Sequence, residues 1–187
     1  MRFSISFLLL LFLDATVRCS VKLCEQGQLW ARGRELLSAM KGQLVLVAFP
    51  SAVDNRTLQK LSSLAEAHGH VRVITLLDPS SCSTEEATAM GRDWRWLIVE
   101  RDDIGTRQRL GLNQGEVALF DRCGRLSRSL PLSSTEELNQ AMRAAQHHAA
   151  CGWCQYGTEK NGEDGGNTIE KKLDAFFQNA IATPSPS

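Results

Sequence analysis

The most continuous apolar pattern in the chain is the run Leu44–Phe49, which is followed by apolar positions at helical spacing. A run this short without a polar interruption indicates a β-strand that is buried on both faces. The helical positions that follow it are Leu58, Leu61, Leu64 and Ala65. Asp54 or Asn55 stands where an N-cap is expected, so the pattern predicts a strand, a short loop and a helix.

The loop between this strand and this helix is a place where α/β proteins hold reactive groups. Free N–H donors and the helix dipole stabilise an anion at a helix N-terminus, and a thiolate is favoured there. The loop residues are Pro50, Ser51, Ala52, Val53 and Asp54, with no cysteine among them. The predicted architecture therefore has a redox position that the sequence does not fill.

The remaining pattern predicts two more strands, a hairpin and three helices. The strands are Val71–Leu77 and Trp96–Val99, and the hairpin is Val117–Phe120 followed by Leu126–Leu130. One helix begins at the capping box Ser83–Glu86, and the other two cover Asp102–Leu110 and Thr135–Ala149. A helix joins the first two strands, so we expect them to be parallel with a right-handed crossover. Parallel strands followed by a hairpin predict an α/β, thioredoxin-like fold with a central mixed β-sheet and flanking helices.

Both ends of the chain differ in composition from its centre. Arg2 precedes the apolar stretch Ile5–Leu13, and small residues precede Ser20, which predicts a secretory signal peptide over residues 1–20. Residues 21–155 are then the folded domain. Residues 156–187 are predicted to form a flexible Gly-rich linker and an amphipathic helix with a polar tail. The apolar face of that helix, which either docks on the domain or binds a partner, is Ile169, Leu173, Phe176, Phe177 and Ile181.

Composition and charge narrow the class of protein. Of the 187 residues, 43% are hydrophobic and 22% are charged, and 21 basic residues balance 21 acidic residues. This composition fits one globular domain, and a chain without net charge has no overall field that recruits nucleic acid or an anionic membrane. No stretch after the signal peptide is long and apolar enough to span a bilayer, so we expect a secreted, extracellular protein.

Cysteine usage agrees with export. Of the six cysteines, Cys19 falls in the predicted signal peptide. The other five, which are the disulfide candidates, are Cys24, Cys82, Cys123, Cys151 and Cys154. In an oxidising compartment most of them should pair, and the odd number leaves one free or intermolecular. The triplet that begins at Asn55 is a glycosylation acceptor of the secretory pathway.

Three short motifs, in order along the chain, carry a family resemblance. They are Leu23-Cys24 shortly before Trp30, the hairpin sequence Asp121-Arg122-Cys123-Gly124-Arg125-Leu126, and the final group Cys151-Gly152-Trp153-Cys154. In this order they resemble the thioredoxin-like N-terminal domain of selenoprotein P. The resemblance implies an extracellular protein related to selenium transport and antioxidant defence, with an extracellular protein or receptor as its partner.

The chain departs from that family at the redox loop. The family carries selenocysteine-x-x-cysteine after the first core strand, where this chain has Ser51 and Asp54. A serine hydroxyl has no comparable oxidation chemistry, and a carboxylate cannot resolve a mixed disulfide. The family's selenocysteine-rich and histidine-rich tail is absent, and residues 113–116 lack the proline that many thioredoxin-like enzymes place there. We therefore expect a non-catalytic binding protein with a degenerate redox loop and no cofactor.

Alternative interpretations remain open at three places. Cys151 and Cys154 have the spacing of an exchangeable pair, which would make the protein an extracellular thiol–disulfide oxidoreductase; a structural disulfide, within the pair or to another cysteine, is the other interpretation. The arginines of residues 92–128 either bind sulfated glycans, as in a heparin-binding or receptor-binding ligand, or form a solvated mixed-charge face. His147 and His148 are weak zinc candidates because that site needs reduced thiols, and no metal is expected.

Overall fold

The computed structural model describes residues 23–154, apart from positions 32 and 95. The predicted signal peptide over residues 1–20 and the predicted linker and helix over residues 156–187 lie outside the described residues. Within the part that is described, no helix is both long enough and apolar enough to cross a membrane.

The described chain forms seven strands and five helices. The strands are β1 (Trp30–Ala31), β2 (Arg34–Glu35), β3 (Leu44–Phe49), β4 (Val71–Leu77), β5 (Leu97–Arg101), β6 (Glu116–Phe120) and β7 (Leu126–Pro131). The helices are α1 (Leu36–Ala39), α2 (Asn55–Ala67), α3 (Thr84–Asp93), α4 (Thr106–Arg109) and α5 (Thr135–His147).

Five of the strands form one mixed sheet in the order β5-β4-β3-β6-β7. β3 and β4 are parallel, as are β4 and β5, whereas β6 runs antiparallel to β3 and β7 antiparallel to β6. The predicted parallel pair, its helical crossover and the later hairpin are therefore confirmed. All six residues of β3 are buried, which is the arrangement that an uninterrupted apolar run indicates.

The two faces of the sheet are covered by different parts of the chain. Side chains of β3 alternate between the faces, so Leu44, Leu46 and Ala48 pack in one core cluster with apolar residues of α2 and α5. Val45, Val47 and Phe49 pack in a second cluster. Their partners before β3 in the chain are Leu29, Ala31, Leu36, Leu37 and Met40. Residues 24–41, which we call the N-terminal segment, thus supply much of the layer on this second face.

Local capping explains where several elements begin. The side chain of Asp54 accepts a hydrogen bond from Thr57 N and begins α2, and Ser83 and Glu86 form the predicted capping box of α3. α4 is shorter than the predicted Asp102–Leu110 because buried Asp102 accepts from Thr106 N and Arg107 N instead of joining the helix. The ribbon β1–β2 has no apolar periodicity, and its pattern did not predict it.

The N-terminal segment lies very close to the sheet at Gly27. A Cβ atom at this position would clash with Phe120 Cε1 and would be 2.9 Å from Leu37 Cδ1. Glycine is therefore required here by a close approach between the segment and the end of β6.

Candidate functional site

The loop at the carboxyl end of β3 holds Ser51 and Asp54, the residues of the predicted degenerate redox loop. Ser51 is exposed, and Asp54 is occupied as the cap of α2, with its Oδ1 accepting from Thr57 N at 2.7 Å. Hydrogen bonds from Thr57 hold the pKa of the Asp54 carboxyl below its usual value. Its interpretation as a cap residue is confirmed.

Gly115 stands next to this loop, in the stretch where the sequence lacks a proline. Its N–H donates to Phe49 O at 2.6 Å, and its carbonyl accepts from Leu132 N at 2.7 Å. A Cβ on Gly115 would come 3.9 Å from Ser51 Oγ, and its φ of +83° favours glycine. The backbone here bonds within the protein, so these groups are not free to hold the backbone of a substrate.

The cleft beside the same loop is small. It has a volume of about 20 Å³ and is bordered by Phe49, Pro50, Asp78 and Gln114, among others. A single water needs roughly 10–15 Å³ of this volume, so the cleft holds little more than one water. The loop Pro50–Asp54 therefore contains no sulfur atom, and this cleft has no space for a ligand.

The bonded cysteines lie at the opposite end of the sheet. Two disulfides occur there, Cys24–Cys151 and Cys123–Cys154, with Cα–Cα distances of 5.1 and 5.9 Å. Cys151 and Cys154 are thus not bonded to each other. Among the pairings that the sequence left open, the structure bonds each member of the pair to a distant cysteine.

The fifth cysteine, Cys82, remains a free thiol. It is buried in the core that contains α2 and α5, and burial raises the pKa of its thiol. A buried, protonated thiol is a poor nucleophile, so Cys82 is a packing residue.

The turn between β6 and β7 fixes the position of Cys123. Buried Asp121 accepts from Cys123 N and Arg125 N, each at 2.9 Å, and its carboxylate pairs with the Arg125 guanidinium at 2.8 Å. The same guanidinium donates to Gly152 O at 3.1 Å. Asp121 and Arg125 therefore join the hairpin turn to the group that contains Cys151 and Cys154. The sequence signal for this role was a pair of opposite charges four residues apart around a cysteine.

The N-terminal segment is attached to the same hairpin along its backbone. Cys24 N donates to Leu126 O at 2.7 Å, Leu126 N donates to Glu25 O at 3.1 Å, and Gly27 N donates to Gly124 O at 2.9 Å. Cys151 Sγ lies 3.7 Å from the same Leu126 O. All four bonded cysteines are therefore held around the start of β7, and we call Cys24, Cys123, Cys151 and Cys154 the four-cysteine cluster.

The two disulfides of the cluster differ in exposure. Cys24 is exposed and Cys151 half-buried, whereas Cys154 is only 5% exposed. Cys24 also has a φ of +64°, a left-handed conformation that costs a non-glycine residue energy. Trp153, between the last two cysteines, is 76% exposed, and Leu23 beside Cys24 is 54% exposed.

Solved structures with this architecture identify the fold. A protein from Chlorobium tepidum described as thiol:disulfide interchange protein DsbE aligns with a TM-score of 0.51 and 17% identity, over 66% of this chain and 95% of that chain. The fold is thioredoxin-like. A hypothetical protein from Sinorhizobium meliloti aligns with a TM-score of 0.50 and 18% identity, over 67% of this chain and 85% of that chain. A secreted disulfide oxidoreductase from Mycobacterium tuberculosis homologous to E. coli DsbE aligns with a TM-score of 0.45 and 15% identity, over 57% of this chain and 85% of that chain.

The interpretation of the chain as a member of the selenoprotein P family is wrong. No protein-family model and no curated protein matches the sequence, and the proteins from Chlorobium tepidum and Sinorhizobium meliloti that share the fold are bacterial and are not described as selenoprotein P. The three motifs behind that interpretation are short. In the structure they are the parts that meet at the two disulfides, so their cysteines are accounted for by the disulfide framework of this chain.

The remaining candidates lie apart from the cluster or are engaged elsewhere. Among residues 23–154 as described, no group of three or more His, Cys, Asp or Glu side chains could hold a metal ion, and the thiols beside exposed His147 and His148 are in disulfides. Arg101 pairs with Asp103 at 3.0 Å. Asn55, the glycosylation candidate, is exposed at the start of α2.

Proposed function

We propose that this protein is an exported thiol–disulfide oxidoreductase that exchanges disulfides through the Cys24–Cys151 bond. The observation that carries the proposal is the accessible disulfide of the four-cysteine cluster, on a thioredoxin-like fold whose usual redox loop contains no sulfur. The location outside the cytosol is part of the proposal, because disulfides persist in oxidising compartments.

The proposed reaction oxidises a dithiol in a substrate protein. A substrate thiolate attacks Cys24 Sγ, the S–S bond to Cys151 breaks, and Cys151 leaves as a thiolate that takes up a proton. The second substrate thiolate then attacks the substrate sulfur of the mixed disulfide and releases Cys24. The substrate gains one disulfide, and Cys24 and Cys151 gain the two electrons and two protons.

Three features of Cys24 favour it as the sulfur that is attacked. It is exposed, so an incoming thiolate can approach it. Its left-handed backbone stores strain that opening of the bond can release. The exposed side chains Leu23 and Trp153 adjoin the disulfide in sequence and offer apolar surface to an unfolded substrate.

A trapping experiment tests this proposal. The full chain, secreted from a eukaryotic host, is incubated with a peptide that has a single cysteine, quenched with acid and mapped by mass spectrometry. We expect a mixed disulfide on Cys24, and the same product from Ser51→Ala at the other end of the sheet. No mixed disulfide, together with a Cys24–Cys151 bond that opens only far below roughly −300 mV, would mark the bond as structural and overturn the proposal.

A second cleft favours a binding function as the other candidate. It has a volume of about 330 Å³ and is bordered by the partly exposed Trp30 and Ile104, by Arg109, and by Arg101, which pairs with Asp103 in the same lining. Apolar walls with Arg109 suit a ligand that has an apolar body and an anionic group. The fluorescent probe anilinonaphthalene sulfonate should bind the full chain, and Trp30→Ala should abolish this binding while exposed Arg128→Ala does not. Equal binding by both variants would remove this candidate.

A further inference from the structure

The two disulfides of the four-cysteine cluster share one short piece of chain. Cys151 and Cys154 are separated by Gly152 and Trp153, and their partners Cys24 and Cys123 lie on two segments that are hydrogen-bonded to each other. Gln26, two residues after Cys24, also donates a hydrogen bond from Nε2 to Cys123 O at 3.1 Å. The two disulfides are therefore adjacent at both sides: Cys151 and Cys154 are close along the chain, and Cys24 and Cys123 lie on neighbouring segments.

We infer that the Cys123–Cys154 bond is a second, internal store of oxidising equivalents, which is reached through Cys151. The inference rests on the proposed function, because Cys151 has to be released first. When Cys151 leaves as a thiolate, it attacks Cys154 Sγ, the Cys123–Cys154 bond breaks and a Cys151–Cys154 bond forms. Cys123 departs as a thiolate and takes up a proton, so electrons and atoms balance without any further oxidant.

The spacing of the two cysteines makes this attack an intramolecular event at short range. Three peptide units separate their Cα atoms by at most about 11 Å, and disulfides with two intervening residues are ordinary in exchange proteins. Gly152 has a φ of +78°, and a Cβ atom added to it would have no other atom within 4 Å, so the turn has room to rearrange. The Arg125 guanidinium at Gly152 O lies beside the cysteine that has to carry negative charge.

Burial favours this route at Cys154, whereas its partner Cys123 is half-buried. Cys154 is 5% exposed, whereas an attacking thiolate has to approach along the S–S axis. An external thiol therefore has poor access to Cys154, but Cys151 is already beside it in the chain. After the internal exchange the disulfide is on Cys151, which is half-buried, and the free thiols are on Cys24 and Cys123. One chain can then oxidise two substrate dithiols in succession.

A labelling experiment on the unaltered protein tests the inference. The full chain is treated with a single molar equivalent of a small dithiol, alkylated after increasing times and mapped by mass spectrometry. Early samples should have label on Cys24 and Cys151. Later samples should have label on Cys24 and Cys123, with at least about a tenfold gain in the Cys151–Cys154 peptide over the untreated protein.

The other outcomes separate this inference from the proposed function. Label that stays on Cys24 and Cys151 overturns the internal exchange and leaves the proposed function intact. Label on Cys123 and Cys154, with Cys24–Cys151 unopened, or label on none of the four, overturns both.

Cys82 provides a matched control because it is the free thiol among the described residues. Cys82→Ala should give the same sequence of labelled products as the unaltered chain. If the shift of label to Cys123 disappears in this variant, Cys82 rather than Cys151 attacks the second disulfide, and the inference is wrong.

Discussion

The two ends of β3 differ in the residues and bonds that surround them. They are about 17 Å apart along the strand. At the carboxyl end, Asp54 caps a helix, Gly115 is bonded to the strand, and the cleft has room for about one water. At the amino end, two disulfides and the Asp121–Arg125 ion pair join three separate segments.

This difference separates the fold from its chemistry. The strand–loop–helix geometry that favours a thiolate is present at the first end and has no thiol, so architecture alone does not place a reactive group. At the second end, the segment before β3, the turn between β6 and β7 and the segment after α5 bring the sulfur atoms. The two disulfides thus join a turn of the sheet to segments outside it.

The largest expected effect is the loss of stability on removing a disulfide at the amino end of β3, which we call the cysteine end. Cys24→Ala with Cys151→Ala opens a link across 127 residues, and Cys123→Ala with Cys154→Ala opens one across 31. Loop entropy predicts losses of about 5 and about 4 kcal/mol in the free energy of unfolding, respectively. Urea denaturation of both double variants checks this order. A greater loss from the shorter link would show that strain or packing, and not loop closure, dominates.

Gly27→Ala should be the next most damaging change. The new methyl group meets Phe120 and Leu37, so the N-terminal segment has to move away from the sheet, at about 2 kcal/mol. The control is Gly69→Ala, where nothing lies within 4 Å of the added atom. Thermal denaturation should separate the two variants by several degrees. Equal melting temperatures would contradict the close packing of this segment.

Arg125→Ala should remove stabilising contacts at the cysteine end. It should leave the contacts at the carboxyl end of β3, which we call the loop end, unchanged. It leaves the buried Asp121 carboxylate without its ion pair and frees Gly152, at about 2 kcal/mol. Reduction of Cys24–Cys151 by a dithiol should become faster. Arg128→Ala, on the exposed side of β7, is the control and should change neither quantity.

Asp54→Ala tests the loop end directly. The variant loses the bond to Thr57 N, so α2 should be less stable, by less than the loss in Arg125→Ala. The rate of Cys24–Cys151 reduction should stay the same because the cluster is at the other end of the sheet. Hydrogen exchange at the first turn of α2 and the reduction rate are the two measurements. A changed rate would show that the two ends are coupled.

The smallest expected effect is a pH dependence at the cysteine end. Burial, together with the positive charges of His68, Arg122 and His147, lowers the pKa of His70 from its ordinary value of 6.5. The unfolded chain then binds this proton more readily, so stability falls as the pH decreases through 6.5 towards the lowered value. His70→Gln should flatten the change in melting temperature across this window, and His148→Gln should not. An unchanged slope in His70→Gln would assign the effect to other groups.

Sequence patterns predicted the sheet because its determinants are local. The apolar run of β3 and the caps at Asp54 and Ser83 fix their elements within a few residues. The pairing of the cysteines was not predictable, since it depends on where residues 127 apart in sequence meet. The role of Asp121 and Arg125 was missed for the same reason, because Gly152 reaches them only in the folded chain.

The disulfides also determine how the domain transmits tension. A pull applied at residue 23 and at residue 154 reaches Cys24, crosses to Cys151 and leaves through Gly152 and Trp153, so the shortest covalent route bypasses every strand of the sheet. The sheet bears no load while the Cys24–Cys151 bond is intact. Once that bond opens, force along the chain reaches the N-terminal segment and its contacts with β7 first. The oxidation state of one bond thus decides whether the domain behaves as a short inextensible link or as an extensible one.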